Sequence, residues 1–374
     1  MIYLDYNATT PIAPEVAAGI KKYIVEEFGN PSSAYALGQR AHTAIAQARQ
    51  QVANLLGCQP QELVFLSCAS EANNTVIKGV AHHLQARGNH LITTQIEHPA
   101  VLNPCLFLLE QGFDISFVPV DGRGQVDPDD IRRELTAKTV LISVMHANNE
   151  TGAIQPLAEI GTLAREAGVW FHSDAAQSVG KIPTRMDELG VDFLTLAGHK
   201  FYAPKGIGAL YVRTGCGFTP LIHGGGQEAG RRSGTENVIF DVALGLAAEL
   251  AQDRLAQDQI HLKALRDRLH QRLQEFFPAL VLNGPEQDRL PNTLNVSFPG
   301  LSGAEILAAL PDLAASTGAA CHGPEVKLSH VLAAMGISRA VGRGAVRFSV
   351  GRYTTETEID QAAAMIGRCL QKLR

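Results

Sequence analysis

The middle of the chain, from about residue 60 to residue 213, alternates short β-rich runs with longer segments whose apolar residues recur at helical spacing. This alternation predicts an α/β domain with a largely parallel sheet. Two of the helical segments, residues 41–57 and 157–168, end at a glycine that suits a helix C-cap. The predicted strands are ELVFLS, HLITT, ISFVPV, VLISVM, VWFHSD, DFLTLA and GALYVR.

The pattern changes after a glycine-rich segment at residues 224–237. Residues 238–275 carry Ala and Leu at helical spacing without a breaker, which predicts one long helix leading into a second domain. Beyond residue 276, short strands such as LPNTLNVSF and AVRFSV alternate with helices, which predicts a smaller α+β unit. We therefore expect a large domain at residues 15–255 and a small domain made of residues 1–14 and 256–374.

Composition and charge narrow the classes of function. The 374 residues carry a formal net charge of -5 with scattered Lys and Arg, so we expect a small-molecule substrate rather than nucleic acid or a membrane surface. The first residues lack a signal-peptide pattern and no apolar run reaches membrane-spanning length, which favours a cytoplasmic protein. The six cysteines lie far apart without CxxC pairing, so a cysteine with a special role is expected to be catalytic.

Polar residues follow several predicted strands, and in open α/β sheets ligands bind at the carboxyl ends of the strands. After ELVFL, small residues lead into a helix starting near Ser70 or Glu71, whose free backbone N–H groups suit an anion. An ordinary Ser N-cap is the alternative. Asn148, Asn149 and Glu150 follow VLISVM, where the alternative is turn chemistry.

Two charged residues end the next predicted strands. Asp174 follows VWFHS, and a buried carboxylate there needs a partner, unless it caps a helix. Lys200 follows DFLTLAGH, where desolvation would lower the pKa of its amine and make it a nucleophile toward carbonyls. A surface lysine is the alternative. An anion-binding helix start, a reactive amine and a buried carboxylate are together the groups that pyridoxal 5′-phosphate (PLP) requires of its binding site. His98 would stack over such a ring or cap a helix.

Twelve segments, in order, resemble the cysteine desulfurases and the related selenocysteine lyases, which are PLP-dependent enzymes of the aspartate-aminotransferase fold. The resemblance covers nearly the whole chain. Each segment alone is weak evidence for the resemblance, but all twelve in the order that the family has them are specific evidence. The segments are YLDYNATTP, GNPSS, SEANN, EHPAVL, NNETG, HSDAAQSVGK, GHKFYAPKGIGALYVR, GGGQE, RSGTEN, LPNTLNVSF, GAACH and RFSVGRYTT.

The resemblance implies cofactor contacts for individual residues. Lys200 would bind the cofactor covalently and later act as general base, and Asp174 would pair with the pyridine nitrogen. Gln177 would bond the phenolic oxygen and His98 would stack on the ring. The phosphate would be bound by Ala69 through its main chain, by Ser70 and His199, and by Thr235 from the second subunit of a homodimer. Ala197 stands where the family more often has Ser or Thr, so one phosphate contact is expected to be missing.

The resemblance also implies the substrate site and the reaction. Asn149 and Arg347 resemble the carboxylate-binding pair, with Arg352 as the nearby alternative, because a guanidinium binds a carboxylate through two hydrogen bonds. Cys321, expected in a mobile loop, resembles the thiol nucleophile, and Cys68 is its competitor. L-Cysteine would become L-alanine, leaving a persulfide on Cys321 for a sulfur-acceptor protein, as in iron–sulfur cluster assembly.

Three alternative functions remain open at this stage. L-Selenocysteine is the alternative substrate, since sulfur and selenium analogues have nearly the same shape. An aminotransferase or a carbon–sulfur lyase, with Cys321 incidental, would use the same fold. A non-enzymatic scaffold or sulfur-carrier binding module is the last alternative, and the joint presence of Lys200 and Asp174 argues against it.

Overall fold

The computed structural model describes residues 1–317 and 328–373. Its strands are Ile2–Tyr3 (β1), Leu63–Leu66 (β2), His90–Thr94 (β3), Asp114–Val118 (β4), Thr139–Ser143 (β5), Trp170–Asp174 (β6), Phe193–Ala197 (β7), Gly208–Val212 (β8), Val281–Leu282 (β9), Thr293–Ser297 (β10), Leu313–Ala314 (β11) and Ala345–Ser349 (β12). Its α-helices are Pro14–Val25 (α1), Ala36–Leu56 (α2), Ala69–His83 (α3), Pro99–Glu110 (α4), Pro128–Glu134 (α5), Leu157–Ala167 (α6), Met186–Leu189 (α7), Val238–Phe276 (α8), Gly303–Ala308 (α9), His330–Ala334 (α10), Arg339–Gly342 (α11) and Glu356–Leu373 (α12).

The larger sheet has seven strands in the order β2-β8-β7-β6-β5-β3-β4. Neighbouring strands are parallel except β8, which is antiparallel to both β2 and β7. Each of the seven predicted runs forms one of these strands, with ends shifted by no more than about two residues. The predicted α/β class with a mainly parallel seven-stranded sheet is therefore confirmed.

Helices cover both faces of this sheet, as the burial of its central strands requires. Apolar residues of α2, α6 and the first part of α8 pack on one face, and residues of α3 and α4 pack on the other. The predicted C-cap glycines are confirmed, because Gly57 and Gly168 end α2 and α6 in the left-handed conformation, with φ of 66° and 64°. None of the helices in the described ranges is both long and apolar enough to cross a membrane.

The predicted long helix is α8, which contacts two different hydrophobic cores. Its residues up to Ala251 pack with the helices on the large sheet, whereas Leu262, Leu265, Leu269 and Leu273 pack with β10, β12 and α12. The second core also takes in Ile2 and Leu4 from the chain start. This change of packing partners supports the division into residues 15–255 and residues 1–14 with 256–374, which stays a proposal.

Two small sheets complete the second unit. Strands β12, β10 and β9 form an antiparallel sheet, and β1 pairs in parallel with β11. After β1 the chain leaves this unit, and residues 5–10 run across to the large sheet, where the Thr10 amide donates to the His199 carbonyl. The carboxyl ends of β5, β6 and β7 thus face a segment tied to both units.

Candidate active site

One cavity of about 360 Å³ lies at the carboxyl ends of the parallel strands. Its volume is in the range that small ligands and cofactors need. Except for Thr235, every described residue that the resemblance assigned to the cofactor or to the substrate lines this cavity. These residues are Ala69, Ser70, His98, Asn149, Asp174, Gln177, Ala197, His199, Lys200 and Arg347.

The anion-binding end of the cavity is the start of α3. The helix begins at Ala69, within two residues of the predicted start near Ser70 or Glu71, because the Cys68 Sγ accepts the Glu71 amide 3.4 Å away and is the N-cap. Ser70 is therefore not the cap, and its side chain belongs to the first helical turn that borders the cavity. Gly208 lets β8 approach closely, because a Cβ there would lie 3.1 Å from the Ala69 nitrogen. The first-turn N–H groups and the helix dipole favour an anion here.

Asp174 is the last residue of β6 and is 6% exposed. Its Oδ2 accepts a hydrogen bond from Asn73 Nδ2 at 2.6 Å, and its Oδ1 accepts the Ala176 amide at 2.9 Å. The residues that follow form turns instead of an α-helix, so the N-cap alternative for Asp174 is wrong. A buried carboxylate with these partners is held in a fixed orientation and can still bind a cationic ring nitrogen.

Lys200 ends a short 3₁₀ turn that follows β7. Its Nζ donates to the main-chain oxygens of Asn7 at 2.5 Å and Ala8 at 2.8 Å. Burial and, second, the positive charge of Arg347 lower the pKa of Lys200 to about 8. At neutral pH about a tenth of such an amine is uncharged, which makes it a usable nucleophile and base. The surface-lysine alternative does not hold.

Both predicted histidines border the cavity and have depressed pKa values. His98 is the N-cap of α4, since its Nδ1 accepts the Ala100 amide at 3.0 Å, so the capping alternative is confirmed for a residue that also lines the cavity. Burial is the main cause that lowers the pKa of His98. The His199 Nδ1 lies 3.1 Å from Thr9 Oγ1, and burial followed by the neighbouring lysines lowers the pKa of His199 to about 4. Both rings are therefore neutral at pH 7.

Arg347, in β12, enters the cavity from the second unit. Its Nη2 contacts Asp5 Oδ1 at 2.7 Å and its Nη1 donates to the Asn149 carbonyl at 2.9 Å. Its buried Nε has no hydrogen-bond partner among the described residues. Arg352, the alternative, instead pairs with Asp258 at 2.7 Å and lies over the Tyr202 ring, so it does not line the cavity.

Thr235 and Cys321 are the two remaining predicted residues. Thr235 lies in the exposed segment before α8, away from the cavity of its own chain. Cys321 and the predicted loop around it lie outside the described residues. The competitor Cys68 caps α3. Cys369 is buried in α12, as its apolar surroundings in the sequence predict.

Sequence and structure comparisons agree with this geometry. The profile of the aminotransferase class-V family matches residues 2–362. The chain belongs to the class V aminotransferase family. It is 45% identical over 375 residues to cysteine desulfurase IscS of Dictyoglomus turgidum, covering 100% of this chain and 95% of that relative. A solved NifS-like protein superposes with a TM-score of 0.93 at 38% identity, with 100% of each chain covered. A solved structure described as SspA in complex with cysteine matches with a TM-score of 0.84 at 37% identity, covering 95% of this chain and 100% of that one.

Enzymes of this class V family are PLP-dependent, and the cavity fits that cofactor. The start of α3 suits its phosphate, Asp174 suits its ring nitrogen, and Lys200 has an amine of the kind that can bond its aldehyde. One further observation agrees, because the buried Oδ1 of Asn73 has no hydrogen-bond partner among the described residues. A polar atom left unpaired beside Asp174 marks a place where a polar ligand is expected.

Among the cavity residues of this class V enzyme that sequence reasoning missed, three offer polar atoms to the site, namely Asn7, Ala8 and Asn73. All three lie within segments that carried the resemblance, YLDYNATTP and SEANN, but no role was assigned to them. For Asn73 a signal existed, since it lies three positions after Ser70 and so shares its helix face. For Asn7 and Ala8 no signal existed, because main-chain oxygens act there.

Proposed function

We propose that this protein is a PLP-dependent cysteine desulfurase that converts L-cysteine to L-alanine and transfers the sulfur to Cys321 as a persulfide. The observation that carries the proposal is the half-buried Lys200 amine, with its pKa lowered to about 8, in one cavity with Asp174 and Arg347. The whole-length identity of 45% to a relative named cysteine desulfurase selects this chemistry within the family.

The cofactor is assigned to the wall residues by their chemistry. Ala69 and Ser70 at the start of α3, with His199, would hold the phosphate, while Asp174 would hold the ring nitrogen. Gln177 would bind the phenolic oxygen, and its amide is held by two bonds, from Nε2 to the Asn7 carbonyl at 3.0 Å and from Lys181 Nζ to Oε1 at 2.9 Å. When bound, PLP withdraws electrons from the α-carbon of an amino acid.

Proton transfer is the proposed task of Lys200. Once its amine is released by the incoming substrate, the neutral form can take the α-proton, and a pKa near 8 keeps that form available at cellular pH. The Asn7 and Ala8 carbonyls accept hydrogen bonds from the same nitrogen. His98 is neutral and lies in the same wall, so it can accept or return a proton beside Lys200.

Substrate orientation is the proposed task of Arg347 and Asn149. Asp5 and the Asn149 carbonyl hold two guanidinium nitrogens of Arg347 in place, so its orientation is set before the substrate arrives. The unpaired Nε is a donor for a substrate carboxylate. Pre-oriented donors lower the ordering cost of binding.

Sulfur transfer is assigned to Cys321. Its thiolate would form an S–S bond with the substrate sulfur while the substrate C–S bond breaks, and protonation of that carbon gives alanine. No external oxidant is needed, because the carbon is reduced as the sulfur is oxidised. The described residues on either side support this role, since Ser316 pairs with Arg347 and the Ser329 hydroxyl donates to Glu150 at 2.5 Å.

A homodimer in the cytoplasm completes the proposal. The exposed Thr235 would contact the phosphate in the partner subunit's cavity, and exposed apolar side chains such as Phe28 and Tyr35 would be covered on association. The five cysteines of the described ranges are unpaired, which suits a compartment that keeps thiols reduced. A sulfur-acceptor protein, as in iron–sulfur cluster assembly, would then take the persulfide sulfur.

Alanine release tests the reaction. Wild-type holoprotein is expected to release alanine from L-cysteine, and mass spectrometry is expected to find the added sulfur on Cys321. Cys321→Ala should lose sulfur transfer but keep the yellow cofactor-bound form, whereas the control Cys369→Ala should keep both. Unchanged turnover in Cys321→Ala would favour an aminotransferase or carbon–sulfur lyase. Negligible turnover of cysteine beside fast turnover of selenocysteine would favour a selenocysteine lyase.

A further inference from the structure

The N-terminal segment supplies the acceptors for the reactive amine of Lys200. The Nζ of this lysine donates to two consecutive main-chain carbonyls, those of Asn7 and Ala8. Among the described residues no carboxylate lies within ion-pair distance of the amine, so these carbonyls are its principal polar partners. A primary amine that has taken up a proton needs such acceptors, because a buried ammonium without partners is costly.

The side chain of Asn7 fixes the position of its own carbonyl. Its Nδ2 donates to Thr293 Oγ1 at 2.8 Å and to the Asn149 carbonyl at 3.1 Å, while its Oδ1 accepts from Asn292 Nδ2 at 2.9 Å. The Asn7 amide donates to Ser349 Oγ at 2.9 Å. Asn7 is 1% exposed, so these bonds are shielded from water.

The partners of Asn7 come from both units of the molecule. Thr293 is the first residue of β10, Asn292 directly precedes it, and Ser349 is the last residue of β12. Asn149, by contrast, follows β5 of the large sheet. The Asn7 carbonyl itself accepts from Gln177 as well as from Lys200. A single residue therefore connects the smaller unit to the amine and to the amide proposed to bind the cofactor's phenolic oxygen.

We propose that Asn7 is a positioning residue whose carbonyl, together with that of Ala8, holds the amine of Lys200 whenever this amine is not bonded to the cofactor. The proposal rests on Lys200 being the cofactor lysine of the proposed function. During the interval between its release by the substrate and its return to the cofactor, the amine would lie against these two carbonyls. In that position the amine stays in the cavity, and it can accept a proton without first shedding a shell of water molecules.

The charges facing Lys200 determine what the carbonyls contribute. Burial and the charge of Arg347 disfavour the protonated amine, whereas Asp174 and Asp5 favour it. Lys181, whose own pKa is lowered well below its usual range by burial, and the rings of His98 and His199 also interact with it. Hydrogen bonds to the charged form raise an amine's pKa, so losing the two carbonyls should lower the pKa of Lys200 further.

The decisive experiment titrates Lys200 in the apoprotein, in which the amine is free. The rate at which an amine-specific acylating reagent modifies Lys200, read by mass spectrometry across pH, gives its pKa. We expect Asn7→Ala to lower that pKa by about one unit. In the holoprotein, kcat for cysteine should fall on the order of tenfold with a smaller change in KM, because base positioning and not binding is lost.

Asn283→Ala is the matched control for Asn7→Ala. Asn283 is equally buried, and its Nδ2 donates to Asn295 and Ser297 at 2.8 Å each, but it does not line the cavity. The Asn283→Ala substitution removes comparable hydrogen bonds but leaves the surroundings of Lys200 unchanged. Thr293→Val provides a milder variant that only loosens Asn7, and its effect on the pKa should be smaller with the same sign.

Several outcomes would overturn the inference. An unchanged Lys200 titration in Asn7→Ala, or an equal shift in Asn283→Ala, would show that Asn7 does not hold the amine. If neither Asn7→Ala nor Thr293→Val folds, a crystal structure of the wild-type apoprotein provides the test. Finding Lys200 Nζ beyond hydrogen-bonding distance of both carbonyls would then overturn the inference. Wild-type protein that releases no alanine would reject the proposed function while leaving the titration result intact.

Discussion

The bond between Asn73 and Asp174 offers a sharp test of how the carboxylate is held. Asn73 Nδ2 lies 2.6 Å from Asp174 Oδ2, and the two residues are 0% and 6% exposed. A buried hydrogen bond to a charged group contributes about 1.5–3 kcal/mol. Asn73→Ala removes it from the apoprotein, leaving Asp174 with the Ala176 amide as its hydrogen-bond donor among the described residues.

The neighbouring Asn74→Ala is the control for Asn73→Ala. Both residues lie in α3, so the gain in helix propensity on changing Asn to Ala is the same in each. Asn74 is half-buried; its Nδ2 donates to the Ser70 carbonyl at 2.9 Å and its Oδ1 accepts from Lys78 Nζ at 3.3 Å, and neither bond involves Asp174. The difference between the two variants therefore isolates the bond to the carboxylate.

Thermal unfolding of the apoprotein is the assay. For a chain of this size a loss of 1.5–3 kcal/mol should lower Tm by about 2–5 °C, while Asn74→Ala should change it by less than about 1 °C. Adding PLP should recover more stability in Asn73→Ala than in wild type, because the ring nitrogen would give Asp174 a new partner. Equal Tm values for the two variants would refute the reasoning, and an equal response to PLP would refute the assignment of Asp174.

Three further predictions concern the cofactor, the base and the substrate. Ala197→Ser should restore a hydroxyl at the phosphate and tighten PLP binding about fivefold, for a gain of about 1 kcal/mol, measured by absorbance titration. Exchange of the substrate α-proton should accelerate about tenfold per pH unit below pH 8 and level off above it, because the neutral form of Lys200 is the base and its pKa is about 8; a flat profile across this range would contradict that role. Arg347→Lys should raise KM for cysteine more than tenfold with a smaller effect on kcat, because an ammonium cannot reproduce the guanidinium geometry; an unchanged KM in steady-state kinetics would exclude Arg347 from the carboxylate site.

The sequence predicted the helices and strands closely where local patterns are strong. The run HLITT is β3 without a shift, and the breaker-free stretch after residue 237 is α8. The start of α3 was placed one or two residues late, because a cysteine side chain caps this helix and cysteine is not among the preferred N-cap residues. Helix α3 ends at His83 although residues 84–87 carry helix-forming side chains, because these residues form turns.

By itself, the sequence determined which residue types stand at the ends of which strands. Parallel strands bring their carboxyl ends to one edge, so the grouping of Asp174, Ala197 and Lys200 follows from the order of the strands along the chain. Only the tertiary structure decided which atoms these residues touch. The contacts of Lys200 with Asn7 and Ala8 join residues almost 200 positions apart through main-chain oxygens, which every residue carries alike. No local pattern encodes such a contact, because its position depends on the packing of the N-terminal segment between two distinct hydrophobic cores.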